Sequence, residues 1–288
     1  MTKLILERKK VELSESQIKL AKSGWGADAV EKTTVEKIAY LSDGLKIKGY
    51  IAYPKNADKV YPSVIWCRGG FGNAGAIDEF NATGIFGQLA SWGYVVFASQ
   101  YRGNDGGEGK DEFGGSDVND VLNLIPLAEE IPFADKNNWA IEGWSRGGMT
   151  TYLALTKTDI FKAAVTVGGI TDLQCAASES KFMKHVISKA LGKNENDYPL
   201  KCSERSILNK PERLSEKTPL MIIHGNADAR VPARDSLELA EKLLSLKREF
   251  RLMLLENGDH FLKNHRKLVD SLRKEWYQKY LTRQKNFQ

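Results

Sequence analysis

Six short apolar runs recur along the chain, separated by longer stretches of mixed character. They are SVIWC (63–67), YVVFAS (94–99), WAIEG (139–143), AAVTVG (163–168), LMIIHG (220–225) and FRLMLLE (250–256). A strand with one wet face alternates apolar and polar side chains. A run without alternation is covered on both faces, as in a parallel sheet under helices. The stretches near 77–91, 116–130, 146–157 and 233–247 have the length and pattern of helices. A last one, from about 262 to 281, sets Leu268, Leu272, Trp276 and Tyr280 four residues apart as a stripe that docks it on the sheet. This alternation predicts a doubly wound α/β domain with a mostly parallel central sheet and helices on both faces.

Ahead of these runs, TVEKIAYLSDGLKIKGYIAYP alternates at Leu45, Ile47, Ile51 and Tyr53 and reads as a hairpin turning at Asp43-Gly44. Residues 1–33 are polar, with weak helical periodicity around ESQIKLAKSGW, and read as an N-terminal extension to a domain over 34–288. Residues 172–215 break the rhythm, being mostly helical and polar with no strand of their own. They are expected to form a small cap-like insertion over the strand ends, the alternative being a plain helical connection.

The chain has 288 residues, 42% hydrophobic and 27% charged, enough for one large core or two modest ones. The net charge of +5 arises largely at the Lys/Arg-rich ends, and acidic residues are interleaved nearly everywhere. No basic block with interleaved aromatics calls for nucleic acid. Cys67, Cys175 and Cys202 are odd in number and widely separated, and no CxxC pair suggests a metal or disulfide framework. The opening MTKLILERKK has too short an apolar run for a signal peptide or a membrane span. A reduced, cytoplasmic protein without metal or cofactor, and without a nucleic-acid or membrane partner, is expected. Self-association is left open.

The chemistry starts at GWSRGG, residues 143–148. Ser145 directly follows a central-looking strand and directly precedes a helix. In an α/β sheet that is the carboxyl edge, where ligands bind. Gly143 and Gly147 flank it at two residues on either side, where a Cβ would collide in so sharp a turn. This is the G-x-S-x-G elbow that lifts a nucleophilic hydroxyl clear of the sheet. A glycine-rich turn whose serine merely caps the helix is the competing reading.

A serine hydroxyl needs a base, and the base needs an orienting carboxylate. Of four histidines, His185 lies in the polar insertion, His265 in the last helix, and His224 ends a buried run as a core imidazole. His260, in ENGDHF just past the last strand, lies at the same sheet edge as Ser145. Asp228, in HGNADARVP after the preceding strand, is favoured over Asp259 and Asp172 as the carboxylate. The order Ser145, Asp228, His260 is that of α/β-hydrolases. Oxyanion donors are expected from the N–H of Arg146 and from Gly70 or Phe71 in RGGFGNAG.

GWSRGGMTTYLAL, PLMIIHGNADARVPARDSLELAEKL and NGDHF, in that order and spacing, resemble the catalytic domain of the prolyl oligopeptidase family of serine hydrolases, over roughly 35–285. The resemblance implies an α/β-hydrolase fold and a serine peptidase or peptidase-like esterase acting on small peptides or esters. It also implies acylation at Ser145, with His260 as base and then acid and Asp228 as orienter. Residues 1–33 are too few for the β-propeller of large members. Where many members have an oxyanion tyrosine, this chain has Trp66, Cys67 and Arg68, so a backbone amide is implied as second donor. Dienelactone-hydrolase-like enzymes usually have cysteine at the elbow, where this chain has Ser145. Arg102, in YRGNDGG, is a candidate for holding a substrate carboxylate or for tying loops together, and Trp144 for lining or underpinning the pocket. A non-catalytic interaction module on the same fold is the reading from another class.

Overall fold

The computed structural model describes residues 3–192 and 196–282. The chain forms two compact units. The first takes in Gly72–Asp111, Asn119–Ala140 and the chain before Gly69. The second takes in Gly69–Phe71, Glu112–Val118 and the chain from Ile141 on.

The first unit opens with β1 (Ile5–Lys10), α1 (Glu15–Trp25) and α2 (Ala27–Glu31), followed by β2 (Thr33–Ser42), β3 (Leu45–Pro54), β4 (Tyr61–Cys67), α3 (Glu79–Ser91) and β5 (Val95–Ser99). Helix α4 (Asp117–Leu122) from Asn119 on and the first part of β6 (Ala134–Trp144) complete it. Its strands run in the order β1-β2-β3-β5-β4-β6. β4 and β5 are parallel, while β1, β2 and β3 join antiparallel. The hairpin forms at the expected turn: Ser42 pairs with Leu45, and both intervening residues have positive φ, 49° at Asp43 and 79° at Gly44. That is the primed turn whose twist matches the strands. Residues 1–33 contribute β1, of which Ile5 alone is buried, and α1, closed by a Ser14/Gln17 capping box. The helix expected over 116–130 is broken. α4 ends at Leu122 and a 3-10 turn, Ile125–Glu130, takes over with Pro126 at its start, where proline tolerates no preceding helical turn.

In the second unit the end of β6 leads into α5 (Arg146–Leu155), then β7 (Phe161–Val167). The insertion carries α6 (Leu173–Glu179), α7 (Lys181–Leu191) and α8 (Tyr198–Arg205), helical as expected, with 193–195 outside the described residues. β8 (Leu220–Gly225), α9 (Ala233–Ser245), β9 (Phe250–Leu255) and α10 (Arg266–Tyr277) follow. The order is β6-β7-β8-β9, with β7, β8 and β9 parallel. Every residue of β8 is buried, as its unbroken apolar run requires. The architecture is that of an α/β-hydrolase, a mostly parallel sheet with helices.

The stripe expected on the last helix is corrected by the structure. Val269, Leu272, Arg273, Trp276 and Tyr277 are buried, whereas Leu268 is exposed and Tyr280 lies beyond the helix in a π turn, Gln278–Thr282. Residues four apart drift around a 3.6-residue helix, so a stripe held over three such steps leaves the buried face. The inclusion of Arg273 has its own cause. It donates through Nε and Nη2 to the carboxylate of Glu142, buried in β6, and Tyr277 Oη donates to the same group at 2.6 Å. Two charges out of water survive because each is matched and hydrogen-bonded.

Arg273→Ala would leave Glu142 buried without its counter-charge. Urea unfolding at neutral pH is expected to show a loss of about 3–5 kcal/mol. A loss below about 1 kcal/mol would show that the pair does not hold α10 to the strand.

Candidate active site

β6 ends at Trp144 and α5 begins at Arg146, leaving Ser145 to make the whole turn. Its φ of 59° and ψ of −122° lie in a region that side-chain-bearing residues rarely adopt. Its N–H donates to Val167 O at 2.9 Å, and its carbonyl accepts from Gly148 at 2.9 Å. Its hydroxyl caps none of the amides of α5. The helix-capping alternative therefore does not describe it. The flanking glycine has a measurable reason: a Cβ on Gly143 would stand 2.0 Å from the carbonyl oxygen of Gly147.

The loop after β8 carries Asp228 and the loop after β9 carries His260. His260 Nδ1 lies 2.7 Å from Asp228 Oδ2. The two loops meet backbone to backbone, since a Cβ on Gly225 would fall 2.1 Å from Gly258 O. Asp228 Oδ1 accepts the amides of Arg230 (2.8 Å) and Val231 (3.0 Å), and His224 Nε2 lies 3.3 Å from Oδ2. His224 also reaches Val231 O through Nε2 and Ser236 Oγ through Nδ1. Its Nε2 faces two acceptors and so carries the proton. By the same logic His260 donates through Nδ1, which leaves Nε2 with its lone pair. Burial pushes the Asp228 carboxyl up, but hydrogen bonds from His224 and His260, the charge of His260 and the Val231 amide outweigh it and hold the group well below the usual carboxylate range.

Gly168, the residue after β7, links this pair to the elbow. Ser145 donates to the preceding residue, Val167, and a Cβ on Gly168 would lie 3.4 Å from Asp228 Oδ2 and 3.6 Å from His260 Cε1. Ser145 and His260 thus flank the end of one strand. The other sequence candidates are occupied elsewhere. Asp172 caps α6 through the amides of Gln174 and Cys175, and Asp259 accepts the amides of Phe261 and Lys263. His185 is exposed on α7, and His265 bonds Glu256 O.

Gly69–Phe71 lies beside the elbow: a Cβ on Gly69 would be 3.1 Å from Trp144 O and 3.5 Å from Ser145 Cβ. The Arg146 side chain, 1% exposed, pins this loop. Nη1 donates to Gly70 O (2.9 Å), Nη2 to Asp117 Oδ2 (2.8 Å), and the guanidinium covers Phe113, against which Phe71 packs edge-on. Sequence reasoning used only the Arg146 amide and missed this clamp. No spacing joins residue 146 to residue 117; the contact is tertiary. Arg230 was missed as well, although a cation two residues past Asp228 is a visible signal. Its guanidinium lies between the rings of Phe182 (4.9 Å) and Phe261 (4.7 Å), and the Phe261 ring stands 5.5 Å from that of His260.

In the first unit, Arg102 donates through Nε and Nη2 to Asp120 and through Nη2 to Asp43. Of its two readings, loop-tying describes these contacts. The Trp144 ring has the Arg273 guanidinium 5.8 Å from its centroid. Among the described residues, no group of three or more His, Cys, Asp or Glu could hold a metal ion, and no helix is long and apolar enough to cross a membrane.

A mostly parallel sheet with a strained serine at one strand end and a His–Asp pair beside it is the arrangement of an α/β-hydrolase. Residues 83–284 match the prolyl oligopeptidase family. The chain is 30% identical over 238 residues to the uncharacterized peptidase YtmA of Bacillus subtilis, covering 82% of this chain and 90% of that one. It is 26% identical to dipeptidyl-peptidase 5 of Aspergillus oryzae, across 80% of this chain but 33% of the relative. Among solved structures, a puromycin-hydrolyzing peptidase of Mycobacterium tuberculosis superposes with a TM-score of 0.72 at 26% identity, over 85% of this chain and 39% of that one. The acylaminoacyl peptidase of Pyrococcus horikoshii shares the fold, with a TM-score of 0.75 at 24% identity over 90% and 43%. The chain thus spans nearly the whole Bacillus relative and less than half of these others. It belongs to the prolyl oligopeptidase family of serine-type peptidases.

Two outcomes follow from this geometry. Because the folded-state pKa of Asp228 is depressed, the unfolded chain takes up the proton first as pH falls. The stability that the carboxylate contributes is therefore complete above about pH 4 and is lost as pH drops further. Urea unfolding of wild type and Asp228→Asn should differ most at neutral pH, the gap closing in acid; a gap that widens in acid would refute the assignment. Arg146→Met, which frees Gly70 O, should lower kcat about 100–1,000-fold with KM little changed, the size expected when an oxyanion donor is displaced. An unaltered kcat would show that the loop needs no clamp.

Proposed function

We propose that Ser145, His260 and Asp228 form a catalytic triad that hydrolyses short peptides through an acyl-enzyme. The observation that carries this reading is the uncapped hydroxyl of Ser145 on strained backbone, across the end of β7 from the His260–Asp228 hydrogen bond.

His260, with Nδ1 donated to Asp228, presents Nε2 as the base. It takes the Ser145 proton as Oγ attacks the scissile carbonyl, while Asp228 stabilises the imidazolium without itself becoming protonated. The oxyanion is met by the amide of Arg146 and by that of Gly70 or Phe71, in a loop that carries no tyrosine. Collapse of the tetrahedral adduct passes the proton from His260 to the departing amine and leaves Ser145 acylated. Water, deprotonated by the same nitrogen, then releases the acid. The insertion over 172–215 caps this site, a reading supported by Phe182 of α7 stacking on Arg230. Phe182, Arg230 and Phe261 give the peptide an edge both apolar and cationic. Relatives named as peptidases support amides over esters as the bond cleaved.

A fluorophosphonate probe should label the wild type, and Ser145→Ala should abolish both labelling and turnover of aminoacyl anilides. Labelling that persists in the variant would eliminate Ser145 as nucleophile. Turnover of chromogenic esters with none of aminoacyl or prolyl amides would replace the peptidase by an esterase.

A further inference from the structure

One segment of the second unit touches both the elbow helix and the insertion. It reads EFGGSD, Glu112 to Asp117, and its backbone bends through two consecutive positive φ values, 53° at Phe113 and 92° at Gly114. Glycine takes such an angle freely. A phenylalanine there is strained and stays only if its surroundings hold it. Part of the holding is internal. Asp117, fully buried, accepts the amide of Gly114 at 3.0 Å and that of Gly115 at 2.9 Å, and the Glu112 carboxylate accepts that of Ser116 at 2.7 Å.

The rest comes from Arg205, the last residue of α8. Its Nε donates to Phe113 O at 3.1 Å and to Glu112 O at 3.3 Å, and its Nη2 donates to Glu112 O at 3.3 Å. Nη1 turns back to Lys201 O of its own helix at 3.0 Å. A planar fork of donors can span two neighbouring carbonyls in this way, a geometry that the point charge of a lysine does not reproduce. The side chain is 11% exposed. Its base is anchored in turn: the next residue, Ser206, accepts the Leu173 amide at 2.9 Å and donates to Cys202 O at 2.7 Å, tying α8 to the start of α6. A Cβ on Gly114 would stand 2.8 Å from Met149 Cε and 3.4 Å from Arg205 Cγ, so the segment is wedged between α5 and this arginine.

What the segment carries decides what the contact does. Phe113 lies under the Arg146 guanidinium and against Phe71, and Asp117 accepts from Arg146 Nη2, while Nη1 of the same arginine holds Gly70 O. A shift of Phe113 or Asp117 therefore moves Arg146 and the 69–71 loop with it. We propose that Arg205 is a positioning residue for the hydrolysis: it holds residues 112–117 against α5 and so fixes the 69–71 loop. The insertion thereby sets the geometry in which the oxyanion is received. Arg205 acts through Phe113 and Asp117 rather than on the substrate. This role rests on the triad reading and on the place of that loop in it.

Arg205→Met keeps an apolar stem and removes the donors. Kinetics on an aminoacyl anilide should show kcat lowered about 10–100-fold with KM little changed, the cost of a small misplacement of catalytic groups. Arg146→Met/Arg205→Met should be no slower than Arg146→Met alone, because both act on one loop. Hydrogen exchange read by mass spectrometry should quicken over 69–71 and 112–118 in Arg205→Met and stay unchanged in β8. Arg205→Lys, which keeps the charge and loses the fork, should show the same changes to a smaller degree, and carries the test should Arg205→Met fail to fold. The exchange readout does not depend on which residue is the nucleophile, whereas the triad reading falls if Ser145→Ala retains turnover. Unchanged kcat, losses that multiply in the double variant, or wild-type exchange over 69–71 would each overturn the proposal. Exchange that quickens equally in β8 would do so too, by marking the arginine as a general support of the fold.

Discussion

A carboxylate that stays charged while almost wholly out of water is the constraint on which the rest of the site turns. Asp228 has a side chain 1% exposed, and an unpartnered charge there would simply be neutralised by taking up a proton. Two amides of its own loop and two imidazoles prevent this. One of those imidazoles, His224, belongs to the core of β8 and is itself fixed by Ser236 and Val231. The orientation of His260 is thus inherited from the sheet as well as from its own loop. The glycines at 225 and 258 serve the same end, because any side chain at the contact would drive the two loops apart.

The elbow rests on a second buried charge pair. Glu142 lies on β6, three residues before Ser145, and its partner Arg273 also lies against the Trp144 ring. The C-terminal helix therefore acts on the backbone that aims the serine. Arg146 extends the logic to the other side, joining the first turn of α5 to Asp117 and to the loop expected to receive the oxyanion. In all three places a charged group is buried where a rigid backbone is needed, and in each it is paired with an opposite charge or with hydrogen-bond donors.

Much of this was legible in the sequence, for reasons that can be named. Buried parallel strands must be apolar throughout, so the runs at 163–168 and 220–225 could be read directly. A primed turn demands positive φ at two positions, and Asp43-Gly44 supplied them. The elbow, the aspartate and the histidine each follow a strand, which places all three at one edge on the pattern of the chain alone. What escaped was tertiary. β1 buries only Ile5 and so shows no alternation. Arg273 interrupts the apolar face of its helix because of a glutamate 131 positions away. The Arg146 clamp and the Phe182–Arg230–Phe261 stack join segments with no periodic relation. Pro126 was visible, yet the run around it was read as one helix although its ring stops the preceding turn.

The backbone at Ser145 bears on the history of such a chain. A positive φ at a residue with a side chain costs about 1–3 kcal/mol, and glycine would relieve it. A polypeptide retained only for its shape would gain sturdiness by losing that hydroxyl, through a single substitution. Holding serine there is a standing sacrifice of robustness, in keeping with the role proposed for its hydroxyl.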